Sequence, residues 1–106
     1  MLIYNIEFSN DAIISNLKRL INQIYKLLPC REENTDWETP LDTIIEELLG
    51  MSKLIPKQHE LLFSLLCKLQ GLKELTSEED FGLYRRILFD CLNILSKIRE
   101  NIVEEA

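Results

Sequence analysis

Residues 81–105 read FGLYRRILFDCLNILSKIRENIVEE. Phe81, Tyr84, Leu88, Cys91, Leu95, Ile98 and Ile102 recur at alternating steps of three and four, the a/d spacing of a helix that buries one seam. Ile87, Leu92 and Ile94 widen that seam. At about 1.5 Å per residue, roughly 25 residues make a rod of about 38 Å. A rod with so much apolar surface needs other helices beside it, so the stretch points to an all-α bundle.

Working back along the chain, Thr76-Ser77-Glu78-Glu79-Asp80 is a capping segment whose carboxylates suit the first turn of this longest helix. Before it, residues 57–70 carry Leu61, Leu62, Phe63, Leu65, Leu66, Cys67 and Leu69 around most of a helical circumference. That pattern predicts a third helix lying centrally in the bundle, started by Pro56 and ended by Gly71.

Thr39-Pro40 reads as the N-cap and first residue of a second helix, with Leu41, Ile44, Ile45, Leu48, Met51 and Ile55 on its buried face. Gly50 weakens its last turns. Residues 30–39 form a polar, acidic connection in which Trp37 is the one large apolar group. Pro29 is expected to stop the first helix, which opens at Ser9-Asn10-Asp11 and carries the stripe Ile13, Leu17, Leu20, Ile24 and Leu27, widened by Ile14, Ile21 and Leu28.

Residues 2–8 behave differently. Leu2, Tyr4, Ile6 and Phe8 alternate with Ile3, Asn5 and Glu7, the period of a half-buried strand. With no second strand in the pattern, this is an extended N-terminal arm whose backbone groups need a partner strand or the helices themselves. Tyr4, Ile6 and Phe8 are therefore candidate contacts. The expected organisation is one domain over residues 1–106, a bundle of about four helices at 9–105 with a short extended arm at 1–8.

Composition agrees with a globular chain: 106 residues, 46% hydrophobic and 28% charged, with only three Gly and three Pro to punctuate it. Twelve Lys and Arg stand against eighteen Asp and Glu, a net charge of −6 that disfavours non-specific binding to nucleic acid or anionic membranes. No basic, apolar leader opens the sequence, and the most apolar run, Leu61 to Leu69, is far shorter than the roughly 20 residues that span a bilayer. Cys30, Cys67 and Cys91 are odd in number and lack paired spacing, which suits free thiols in a reducing cytoplasm; two of them fall on apolar helix faces.

Chemistry-bearing groups are sparse. His59 is the single histidine, so neither a His-Asp metal cluster nor the repeated Glu-x-x-His of a di-iron bundle can be assembled. Asp36, Glu38, Asp42 and Glu47 fall at four ligand positions of a calcium-loop frame, but Leu41 occupies the place that needs glycine and Pro40 starts a helix there. No catalytic, cofactor or metal residue is assigned.

Contact surfaces are better supported. Trp37 among carboxylates suits either an anchor for a partner or a cover for the bundle end. Arg85 and Arg86, with Lys97 and Arg99, suit an acidic partner, or a solvated face with pairs such as Arg86–Asp90. The first three helices read as shorter than the fourth, so Ile98 and Ile102 are expected to project beyond them as an apolar seam for a second subunit. The expected function is a non-catalytic interaction or regulatory module, an accessory subunit or inhibitor, acting as a cytoplasmic homo-oligomer with a protein partner. The alternative is a nucleic-acid-associated regulator whose dimer gathers Lys18, Arg19, Arg85 and Arg86 into a basic face.

Overall fold

Four helices share one apolar core in the computed structural model, which describes residues 10–105. They are α1 (Asn10–Glu32), α2 (Glu38–Met51), α3 (His59–Leu72) and α4 (Phe81–Glu105), with short 3-10 turns at Pro56–Gln58 and Glu78–Asp80. Each helix packs against its neighbours in the chain, and α4 closes the ring against α1. The fold is an all-α bundle. The proposed arm, with Tyr4, Ile6 and Phe8, lies outside the described residues.

The register follows from contacts between helices. Tyr25 on α1 meets Phe89 on α4, and Arg31 meets Tyr84 and Phe81, so α1 and α4 run antiparallel. Arg19 pairs with Glu47 between α1 and α2, and Lys73 follows α3 to pair with Asp42 on α2. Lys68 lies 3.9 Å from Asp90, and Asn101 Nδ2 donates to Gln58 Oε1 at 2.9 Å, fixing the end of α4 beside the α2–α3 connection.

The periodic positions are the core. Ile13, Leu17, Leu20, Ile24 and Leu27 of α1 and Tyr84, Leu88, Cys91, Leu95, Ile98 and Ile102 of α4 are all buried. Burying each such aliphatic side chain contributes about 1.5–3 kcal/mol, which is why the stripe rather than local propensity fixes each helix's orientation.

Four local expectations change. Pro29 does not stop α1; the helix passes through it to Glu32. Pro29 sits on the exposed side, where water can satisfy the carbonyl one turn back that its missing N–H leaves free. The stop comes from Asn34, whose φ of 60° is left-handed, followed by Thr35 N donating to Cys30 O at 2.9 Å. The start of α2 also moves: Asp36 Oδ1 accepts from the amides of Glu38 and Thr39, so a carboxylate three residues earlier does the work expected of Thr39. At its other end, α2 stops at Met51, and buried Ile55 belongs to the connection.

The third change concerns α3, which is not central. Only Leu62, Leu65, Leu69 and Leu72 are buried, while Phe63 is 70% exposed and Cys67 is exposed. Two flanking helices cover one side of α3, and its apolar residues outnumber the positions so covered. Among the described residues α4 carries seven buried side chains, and it packs against both α3 and α1.

The fourth is the overhang. Ile98 is fully buried and Ile102 is 4% exposed, so neither is available to a second subunit. The reason is the length of α1: at 23 residues it nearly matches the 25 of α4. Its Ile13, together with Ile55 of the α2–α3 connection, lines the same small hollow as Ile102.

Candidate interaction surface

The end of the bundle where α1 meets the start of α4 is organised by Arg31. It continues the buried stripe of α1 one step beyond Leu27 and is only 8% exposed. Its Nε and Nη2 donate to Leu75 O at 3.1 and 2.7 Å, and Nη2 also donates to Ser77 O at 2.7 Å. Its guanidinium carbon lies 4.7, 5.4 and 5.8 Å from the ring centres of Tyr84, Phe81 and Trp37. Carbonyl oxygens and ring faces thus receive the charge of this buried arginine. Sequence reasoning missed Arg31 because Pro29 was read as a stop; continuing the stripe by four residues from Leu27 would have found it.

Trp37 turns inward. Its ring meets Tyr84 edge to face with centres 5.1 Å apart, and the side chain is half-buried. It covers the bundle end, and its surroundings in the sequence did not distinguish that from a protruding anchor. Tyr84 is fully buried, and desolvation pushes its hydroxyl ionisation well above the ordinary phenol range. Among the described residues, its hydroxyl oxygen has no hydrogen-bond partner.

Apolar surface remains on the outer side of the α1/α4 pair. Tyr25 and Phe89, 51% and 37% exposed, touch edge to face with centres 6.3 Å apart. Half-buried Ile14, Ile21 and Leu28 continue the strip on α1, and Val103, 54% exposed, continues it on α4. Arg85 lies over Phe89 at 5.7 Å. Aromatic rings and an arginine around aliphatic side chains are the composition favoured at the centres of protein interfaces. Periodicity showed Ile14, Ile21 and Leu28 as a widening of the core stripe, and they do pack partly buried against the core; their place on the same side as Tyr25 and Phe89 needed the packing.

Other singled-out residues are dispersed. Arg85 and Arg86 are exposed on the first turns of α4, and Asp90, the expected partner of Arg86, lies instead near Lys68. Lys18 is exposed on α1 roughly 16 Å along the bundle from the level of Arg85, by helical rise. Arg19 faces α2 and is bound by Glu47. Within one chain these four cations therefore form no single patch. Asp36 caps α2, Asp42 binds Lys73 and Glu47 binds Arg19, so three of the four carboxylates of the calcium-loop frame have separate structural duties.

His59 opens α3 and is exposed beside an open hollow lined by Lys57, Glu60, Asn101 and Glu104; among the described residues no serine or cysteine lines it. Cys91 is buried, and burial pushes its thiol up to about 12. Among the described residues no helix is long and apolar enough to cross a membrane. Compared with known proteins, the chain matches no family model, no curated protein and no solved structure.

Proposed function

We propose that this protein is a non-catalytic interaction or regulatory module that binds protein through the outer face of the α1/α4 pair and self-associates in the cytoplasm. The observation that carries the reading is the strip of Ile14, Ile21, Tyr25, Phe89 and Val103, an apolar surface with exposed aromatics on a bundle whose core is otherwise closed. Three free thiols and a net charge of −6 support an intracellular, protein-directed role over one at a nucleic-acid backbone.

The test compares Tyr25→Glu and Phe89→Glu with Phe63→Glu, an exposed change on the far side of the bundle. Circular dichroism checks that all three fold. In light scattering and in affinity capture from the native cell, association should be lost with the first two and kept with the third. Equal association in all three variants would defeat the reading.

A further inference from the structure

The α1/α4 face has an internal symmetry that identifies its occupant. Contact between Tyr25 and Phe89 sets the antiparallel register of the two helices, so one turn back along α1 and one turn forward along α4 Ile21 stands level with Asn93. On α1, Ile14 precedes Ile21 by seven residues and Leu28 follows it by seven. On α4, exposed Arg86 precedes Asn93 by seven and exposed Glu100 follows it by seven. Seven residues are two helical turns, so each set lies along one stripe.

We infer that this face receives a second copy of the chain, turned about a two-fold axis at the level of Ile21 and Asn93, with α4 antiparallel to the partner's α4. The inference rests on the interaction reading above and names its partner. The same rotation sets Ile14 against the partner's Leu28, Ile21 against the partner's Ile21 and Arg86 against the partner's Glu100. Lys97 comes level with the partner's Phe89, a cation beside an exposed ring.

Charge selects this orientation. Arg85 and Arg86 mark the beginning of α4, and Glu100 and Glu104 mark its end; none of the four has an ion pair with another described residue. A two-fold along the helices would lay α4 over the partner's α1 and set Arg86 against the partner's Leu28 and Glu100 against the partner's Ile14, whereas the antiparallel one matches opposite charges at both ends at once. A face about 35 Å long and roughly 20 Å wide offers on the order of 700 Å² per subunit, close to the roughly 800 Å² of a standard stable interface.

The experiment is a charge exchange followed by sedimentation equilibrium, with circular dichroism as the control for folding. The wild-type chain should be a dimer. Arg86→Glu and Glu100→Arg should each raise the dimer dissociation constant about tenfold, because one substitution sets two repulsive pairs in a symmetric dimer. The double variant R86E/E100R should recover the wild-type value within a few-fold. A monomeric wild type, single variants that dimerise like the wild type, or a double variant that stays weak would each overturn the inference. So would a dimer abolished by removing residues 1–8 and indifferent to the exchange. A monomeric chain that still loses a different protein on Tyr25→Glu would leave the interaction reading standing without this partner.

Discussion

The guanidinium of Arg31 lies 4.7 Å from the ring centre of Tyr84 while its Nη2 donates to the carbonyls of Leu75 and Ser77. One side chain thereby ties the end of α1 to the loop before α4. Replacement by methionine keeps the stem and removes the donors. Arg31→Met should cost about 2–4 kcal/mol in urea unfolding, the sum of charged hydrogen bonds and a cation–π contact. Arg31→Lys should recover little, because a point charge lacks the planar fork.

Ile98 and Ile102 look like interface residues in the sequence and are core in the fold. Ile98→Glu should therefore abolish cooperative thermal unfolding rather than convert a dimer to a folded monomer. Ile102→Ala should lower stability by about 2–4 kcal/mol and leave association of the folded fraction intact. Circular dichroism with light scattering on the same samples separates the two behaviours.

Asp36 is held below the ordinary carboxylate value of 3.8, first by hydrogen bonding to the Thr39 side chain and amide and further by the Glu38 amide. A lowered folded pKa contributes stability that is complete above the unfolded value and disappears as pH falls through the folded one. Thermal melts of the wild type should therefore lose the contribution of Asp36 below about pH 4. Asp36→Asn retains an acceptor for the two amides and should flatten that part of the acid dependence, whereas Asp36→Ala should lower the melting temperature at every pH.

Cys91 gives the opposite sign. Its thiol ionises near 9.0 when unfolded and is pushed up to about 12 by burial, so raising the pH between those values favours the unfolded chain. Alkylation at pH 8 followed by mass spectrometry should label Cys67 first, Cys30 more slowly, and Cys91 only after denaturant is added.

Helix existence and the buried stripes were legible because a period of three and four is imposed by geometry on any helix with one wet side. Ile13 through Leu27 and Tyr84 through Ile102 show this directly. The ends were less legible because they depend on competition between neighbours. Pro29 is a strong local breaker, yet it faces solvent and α1 continues beneath it to bury Arg31. Asp36 outcompetes Thr39 as a cap because its carboxylate reaches two amides at once.

The surface was the least legible part. Trp37 and Phe63 are both large aromatics, but one turns onto Tyr84 and the other stays open, a difference set by which helix arrives next to each. Tyr25 and Phe89 are separated by most of the chain, and no spacing rule brings them together. Pairwise contacts between distant segments come from packing, and the candidate face is made of them.

The neighbouring placement of α1 and α4 also bears on how the molecule assembles. Ile13 and Ile102, far apart along the polypeptide, line one hollow, whereas the α1–α2 and α3–α4 hairpins join through short loops. Loop-closure entropy is smallest for the short hairpins and largest for the remote seam, so the meeting of the first and fourth rods is the costliest closure the core has to offset.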